Sequence, residues 1–221
     1  MQTSPAPQNL IRAFSQSDYD KNMTASTSQN RHRLFAISTM IFAIVGWIGS
    51  WELATEYVKK LKNPEYVPNC DFSLLVTCGP NMESWQGSVF GFSNTFLGLG
   101  AFVAPLVVGA AILSGAKFNR VFWALYLAGL TFGIAFVFWL SIQSVFYIGT
   151  LCPWCMVVWL VTIPLFWFTL GYALRHGYLG NDKNSKAAIF FGAWALPLTL
   201  ISYAIIACYA QIALDWISHL L

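Results

Sequence analysis

LCPWCMVVWLVTIPLFWFTLGYAL, residues 151–174, is the stretch that decides the fold. It contains no charged side chain, and Arg175 follows it directly. A helix rises about 1.5 Å per residue, so roughly 20 apolar residues cross the ~30 Å hydrocarbon core of a bilayer. The stretch therefore predicts a membrane-spanning helix that carries Cys152 and Cys155 at its start.

Four further apolar stretches predict four more spans, at about residues 34–57, 94–114, 118–146 and 187–216. Over the whole chain, 57% of residues are hydrophobic and 10% are charged, whereas a soluble domain carries about 25% charged residues. The sequence thus predicts an all-α integral membrane protein that crosses the plasma membrane several times. A net charge of +3 is too small and too dispersed to indicate nucleic-acid binding. Prolines inside the spans predict kinks at Pro105, Pro164 and Pro197.

The distribution of lysine and arginine predicts the orientation. Nine basic residues fall on one side of the predicted spans and three on the other. The positive-inside rule places the larger set, and with it the N-terminus, in the cytoplasm. With five spans, the C-terminus is then outside. The larger set is Arg12, Lys21, Arg31, Arg33, Lys117, Arg120, Arg175, Lys183 and Lys186, and the smaller is Lys59, Lys60 and Lys62.

These boundaries divide the chain into three parts. Residues 1–33 are rich in Gln, Ser, Thr, Asn and Pro without apolar periodicity, which predicts a disordered cytoplasmic tail and no signal peptide. Residues 34–174 form a four-helix unit whose long outer loop covers residues 58–93. Residues 175–221 supply a cytoplasmic link and the fifth span.

The C-x-x-C motif at Cys152 and Cys155 indicates redox chemistry. The free amides and the dipole of a helix N-terminus favour a thiolate, and Pro153 suits the first helical position. A zinc site would need more than two ligands, and no histidine lies near in the sequence. Inert thiols remain a further alternative, and no metal site is predicted.

A second cysteine pair lies in the outer loop, where seven residues separate Cys70 from Cys78. An oxidising compartment favours pairing of such thiols. The pair could be a structural disulfide that pins the loop. It could also be a mobile shuttle that exchanges disulfides with the C-x-x-C pair, since both pairs are predicted on the same side.

At these residues the sequence resembles the vitamin K epoxide reductase family. The resemblance covers about residues 34–174. Its first part is the loop from Asn69-Cys70-Asp71 through Cys78, followed by Ser84, Gly87, Phe90-Gly91 and Asn94. Its second part is Leu151-Cys152-Pro153-Trp154-Cys155, which is similar to the active-site motif of bacterial members.

The resemblance implies a four-helix bundle around a quinone, capped by the outer loop, with a fifth transmembrane helix beside it. It assigns Cys155 to the quinone, Cys152 to exchange with Cys78, and Cys70 to the incoming substrate. It further implies that Asn94 hydrogen-bonds a quinone carbonyl, that Ser84 supports the loop, and that Trp159 lines the quinone pocket. Asn94 and Ser84 could instead cap helices, and Trp159 could face lipid.

Residues outside this set have simpler expected roles. Cys208, on the fifth span, is expected to be a small buried hydrophobe. Glu56 lies near the outer end of the first span, where a carboxylate is a functional candidate or reaches headgroup water. His32, His176 and His219 fall near the membrane edges and are expected to be solvated.

The function that follows from the resemblance is a membrane thiol oxidase. Some relatives carry a thioredoxin-like domain after the fifth helix and this chain ends at Leu221, so a separate exported, DsbA-like thioredoxin-fold partner is expected. The expected acceptor is menaquinone, by similarity to actinobacterial members. One alternative is a quinone or vitamin K epoxide reductase that uses the same cysteines. Another is a membrane scaffold whose loop is held by disulfides.

Overall fold

The computed structural model describes residues 7–180 and 182–215, with side chains from residue 29 onward. Its α-helices are α1 (Pro7–Lys62), α2 (Gly79–Glu83), α3 (Asn94–Ala101), α4 (Val103–Leu113), α5 (Arg120–Ile142), α6 (Pro153–Arg175) and α7 (Lys186–Leu214). A 3-10 helix covers Trp85–Ser88 and a π-helix covers Gln143–Ile148. Within these residues no β-strand occurs, and one isolated parallel bridge pairs Val76 with Leu151.

Five helical segments are long and apolar enough to cross a membrane, which confirms the all-α, multi-pass prediction. They are Gln29–Lys62, Asn94–Leu113, Arg120–Ile148, Pro153–Arg175 and Lys186–Leu214. Their bounds lie close to the predicted ones because each apolar stretch ends at a polar or charged residue. The predicted end of the fifth span, residue 216, lies outside the described residues.

The first helix is longer than the sequence predicts. Residues 7–33 were expected to belong to a disordered tail, but α1 is continuous from Pro7 to Lys62. A helix is costly to nucleate and cheap to extend, and no proline follows Pro7 until Pro64. The membrane span therefore serves as a nucleus from which the polar segment continues as helix.

The second span is interrupted where the sequence predicts a kink. Helix α3 ends at Ala101 and α4 begins at Val103, with Phe102 between them. A proline ring clashes with the carbonyl four residues earlier, which for Pro105 is that of Ala101. In contrast, α6 and α7 continue through Pro164 and Pro197.

Helix α6 lies at the centre of the molecule. It contacts α1, α5 and α7, while α1 also packs against α3 and α4. Helices α6 and α7 approach closely at Gly171, where an added Cβ would lie 2.7 Å from the carbonyl oxygen of Phe191. Small residues at such crossings let membrane helices pack backbone to backbone. Helix α7 thus joins the four-helix bundle by packing against α6.

Candidate functional site

The loop after α1 is fastened to the bundle by one buried carboxylate. Glu56, with 2% of its surface exposed, lies in the last turns of α1. It accepts hydrogen bonds from Lys59 Nζ at 2.7 Å, Tyr66 Oη at 2.9 Å and the Asn69 amide at 2.8 Å. The residue thus holds the chain immediately before Cys70, so the carboxylate does not simply reach headgroup water.

Main-chain hydrogen bonds bring the two cysteine segments into register. The Leu151 amide donates to the Leu75 carbonyl at 2.7 Å, and the Thr77 amide donates to the Leu151 carbonyl at 3.1 Å. Gly149, with a φ of 78°, makes the turn that aims Leu151 at the loop. Because each cysteine follows closely on a bridged segment, Cys78 and Cys152 are placed side by side.

The loop cysteines form a disulfide whose Cα atoms are 5.7 Å apart. Asp71 lies between them and accepts hydrogen bonds from the amides of Cys78 at 2.6 Å and Gly79 at 3.1 Å. Cys78 stands at the N-cap of α2, where such amides lack helical partners. Asp71 and the two sulfurs form a compact group, but disulfide-bonded sulfurs lack the thiolate charge that a metal ligand needs.

The C-x-x-C pair occupies the first turn of α6, as predicted. Cys152 is the N-cap, and its Sγ accepts a hydrogen bond from the Cys155 amide at 3.4 Å. Both cysteines are free thiols. The Sγ atom of Cys152 lies 3.5 Å from the Sγ atom of Cys78. A thiol is therefore in contact with a disulfide sulfur, which is the arrangement that thiol–disulfide exchange requires.

Below this cysteine cluster lies a cavity of about 450 Å³, lined mostly by apolar side chains, with Cys155 in its wall. It runs along α5 from Leu125 to Leu140, which corresponds to about 22 Å of helix. No charged side chain lines it among the described residues. The cavity therefore suits a long, uncharged, apolar molecule whose reactive end lies near Cys155.

Asn94 supplies a polar group in the cavity wall. Its Nδ2 donates to the Gln86 carbonyl at 2.7 Å, and its Oδ1 is buried without a hydrogen-bond partner among the described residues. The cap of α3 is Ser93, which accepts from the Thr95 amide, so the capping alternative for Asn94 is wrong. A buried polar atom without a partner is rare and points to a ligand.

Ser84 and Trp159 also line the cavity. Ser84 caps the 3-10 helix by accepting from the Gly87 amide at 3.2 Å, and it donates to the Asn81 carbonyl at 2.9 Å. It is thus a capping residue that shapes the wall. Trp159 is buried, with 6% of its surface exposed, and does not face lipid.

The fifth cysteine lies apart from the others. Cys208 is exposed on the surface of α7, so the expectation that it is buried within the protein is wrong. Helix α7 presents only part of its circumference to α6, and a residue on its outer face is in contact with lipid.

Sequence reasoning missed several polar side chains that complete the site. Gln86 donates to Gln143 at 3.2 Å and Asn81 donates to Thr150 at 2.7 Å, so the loop is joined both to the start of the π-helix and to the segment just before α6. The buried Tyr126 also lines the cavity, and its hydroxyl lies close to that of Thr169. No local motif marks these residues, since their partners are far away along the chain.

Fold and site together define a polytopic membrane protein with a thiol–disulfide redox centre placed at the mouth of an apolar cavity. A family model for the vitamin K epoxide reductase family matches residues 37–170. The chain belongs to this family, and family membership implies oxidoreductase activity. Members of the family use a quinone or vitamin K as electron carrier and work with thioredoxin-like partners. No curated protein matched the chain.

Proposed function

We propose that the protein is a thiol oxidase that takes electrons from an exported thioredoxin-fold protein and delivers them to a membrane quinone. The observation that carries the proposal is the 3.5 Å contact between Cys152 Sγ and Cys78 Sγ. It links the loop disulfide to the thiol pair in the cavity wall. The excess of basic residues at the opposite ends of the helices supports an orientation with the cysteines outside and the N-terminus in the cytoplasm.

Electrons enter through the loop pair. A thiolate of the partner attacks Cys70 in the disulfide and releases Cys78 as a thiolate. Cys78 then attacks Cys152 of an oxidised C-x-x-C pair, and Cys155 leaves as a thiolate beside the cavity. Cys70 is buried, with 2% of its surface exposed, so the loop must open to admit the partner. The partner's second thiolate then attacks the partner sulfur of the mixed disulfide, which frees Cys70 and releases the partner oxidised. Cys70 in turn attacks Cys78 in the Cys78–Cys152 disulfide, which restores the loop disulfide and leaves Cys152 and Cys155 reduced.

Electrons leave through the cavity. A quinone accepts two electrons and two protons and becomes a quinol. Asn94 fits such a group, because one Nδ2 hydrogen remains to donate to a carbonyl and the orphaned Oδ1 can accept from a hydroxyl. Cys155 supplies the thiolate, and the uncharged wall excludes water and suits a long apolar tail. Menaquinone is the proposed acceptor.

Quinone reduction by the purified chain tests this proposal. A reduced thioredoxin-fold protein is the electron donor and menaquinone the acceptor, and wild type is compared with the Cys155→Ala variant. We expect turnover in the wild type and none in the variant. A folded wild type that oxidises no partner thiols would refute the proposal. A parallel reaction with the quinone epoxide would identify the epoxide reductase instead, if the epoxide were the preferred acceptor.

The proposed contact of Asn94 has its own test. Asn94→Ala should lower quinone turnover by about 10- to 100-fold, because one hydrogen-bonding group at the reacting carbonyl is lost. Exchange between the partner and the loop disulfide should stay unchanged in the same variant. Asn119→Ala, which removes the cap at the far end of α5, is the matched control. Equal quinone turnover in both variants would exclude Asn94 from the quinone site.

A further inference from the structure

A second cavity, of about 490 Å³, lies between α1, α6 and α7 at the end of the molecule opposite the cysteines. Helix α6 spans 23 residues from Pro153 to Arg175, which corresponds to about 33 Å and to the thickness of a bilayer core. The cavity lies at the Arg175 end. The cavity therefore lies at the membrane surface opposite the cysteines, about one bilayer thickness from them.

Cationic side chains from three parts of the chain meet in this cavity. Arg31 comes from α1, Arg175 from the end of α6, and Lys183 from the link to α7. The two salt bridges found among the described residues, Lys59–Glu56 and Lys60–Glu83, both lie at the cysteine end. The nearby Asp182 carboxylate accepts the Asn184 amide at 3.0 Å within the link. The cavity thus brings three cationic side chains together at one place.

The two histidines at this site, which were expected to be solvated, are half-buried and pack against each other. His176 Nδ1 donates a hydrogen bond to the Tyr172 carbonyl at 2.8 Å, and the rings of His32 and His176 have centroids 4.7 Å apart. Burial lowers the pKa of His176, the hydrogen bond to the Tyr172 carbonyl opposes this shift in part, and the positive charges of Lys183 and Arg175 lower the pKa further. His219, predicted to be solvated, lies outside the described residues. The neighbourhood therefore opposes added positive charge and favours an anion.

The backbone makes room for one of these cations. The Arg175 side chain lies directly over Gly192 of α7, in the space where a Cβ would stand. A larger residue at position 192 would push the guanidinium out of this place. The close crossing at Gly171 keeps α7 against α6 immediately beside it. The position of Arg175 is therefore built into the contact between the two helices.

We propose that this cavity binds the phosphate headgroup of an anionic phospholipid. A guanidinium and an ammonium are the donors that proteins use for phosphate oxygens, and basic pockets between membrane helices suit acidic lipid headgroups. The lining also contains apolar residues, among them Phe168, Ala188 and Ile189. An acyl chain can pack against that apolar surface, whereas free phosphate cannot.

Lipid titration of the full chain in neutral detergent, followed by native mass spectrometry, tests the proposal. Phosphatidylglycerol and phosphatidylcholine with identical acyl chains are the probes, and inorganic phosphate is the competitor. We expect phosphatidylglycerol to bind about tenfold or more tightly than phosphatidylcholine. The double variant Arg175→Gln, Lys183→Gln should weaken its binding by about fivefold for each cation removed. Lys117→Gln, which removes a cation at the same end but outside the cavity, should change it by less than about twofold.

Three results would overturn the proposal. They are equal binding of the two lipids, undiminished phosphatidylglycerol binding by the double variant, and displacement of the lipid by inorganic phosphate at comparable concentration. The last would identify a site for soluble phosphate. If the double variant does not fold, Gly192→Ala displaces Arg175 alone, and it too should weaken phosphatidylglycerol binding while leaving phosphatidylcholine binding unchanged.

Discussion

Helices α6 and α7 are similar in composition, but α6 lies at the centre of the molecule and α7 at its periphery. Both are long and apolar, and each contains an internal proline and at least one cysteine. In the most apolar window of α6, 56% of residues are buried inside the protein, against 17% for α7. Composition alone therefore predicts that a helix enters the membrane, whereas its neighbours decide whether its side chains face protein or lipid.

The difference locates the chemistry. Cys152 and Cys155 lie in the first turn of α6, and the family match ends at residue 170, before α7 begins. Helix α7 touches α6 along one side only, and within the described part of the chain it contributes no residue to the lining of the cavity beside Cys155. We therefore expect substitutions in α6 to change activity, and those in α7 to change mainly stability.

Substitution of one cysteine in each helix should give the largest difference in quinone reduction between α6 and α7. Cys155→Ser removes the thiol in the cavity wall and should lower quinone reduction by at least about 100-fold, as the loss of one member of a reacting unit does. Cys208→Ser should leave the rate unchanged, because Cys208 lies on the outer face of α7. Both rates are measured with a reduced thioredoxin-fold donor. Comparable losses of quinone reduction in the two variants would contradict the placement of the chemistry on α6.

Tryptophans on the two helices offer a second, smaller contrast. Trp159 has 6% of its surface exposed and Trp194 has 46%. Trp159→Leu should raise the KM for quinone by about tenfold, since about 1–3 kcal/mol of apolar contact is removed from the cavity wall. Trp194→Leu exchanges one lipid-facing apolar side chain for another and should leave KM unaltered. Steady-state kinetics at varied quinone concentration measure KM for both variants.

The junction between the helices can be loosened directly. Gly171→Ala places a Cβ 2.7 Å from the Phe191 carbonyl oxygen and should destabilise the protein by about 1–3 kcal/mol through overpacking. In Gly129→Ala the new Cβ meets nothing within 4 Å, so this variant is the matched control. Thermal unfolding in detergent reports both. An unchanged Tm in Gly171→Ala would show that α7 does not depend on this crossing.

A single hydrogen bond between α7 and the bundle should have the smallest effect. The hydroxyls of Tyr209 and Ser141 lie 2.5 Å apart, and the Ser141 hydroxyl donates to the Phe138 carbonyl, so Tyr209 is the donor. Tyr209→Phe should lower stability by about 0.6 kcal/mol, the average for hydrogen bonds between membrane helices. Thermal unfolding measures the loss. A change in quinone turnover would instead show that α7 influences the redox site.

Hydropathy predicted the five spans well, and cysteine spacing predicted the two cysteine pairs that the structure brings into contact, whose redox role stays a prediction. Each of these signals is local in sequence, and a bilayer imposes length and charge rules that are easily read. The pairing of Asn94 with the Gln86 carbonyl could not be predicted, nor could the role of Glu56 in holding Tyr66 and the Asn69 amide. These contacts depend on how the loop folds back onto the bundle.

The outward position of Cys208 and the helical segment before residue 34 were missed for a different reason. Burial of a residue in a membrane helix has two meanings, inside protein or inside lipid, and apolar composition is the same in both. The polar segment of α1 resembles a disordered tail by composition, but it is joined to a span that is already helical. In both cases the neighbouring structure outweighs the local pattern.

The bridge between Val76 and Leu151 joins the two cysteine segments through peptide groups alone. Substitution of these residues by alanine would leave both main-chain hydrogen bonds in place. Alanine scanning would therefore not detect their contribution to the alignment of Cys78 with Cys152. Thr77→Pro, by contrast, deletes one donor while keeping every cysteine. The alignment of the two cysteine segments is thus set by the main chain, and the side chains of Val76 and Leu151 take part in neither hydrogen bond.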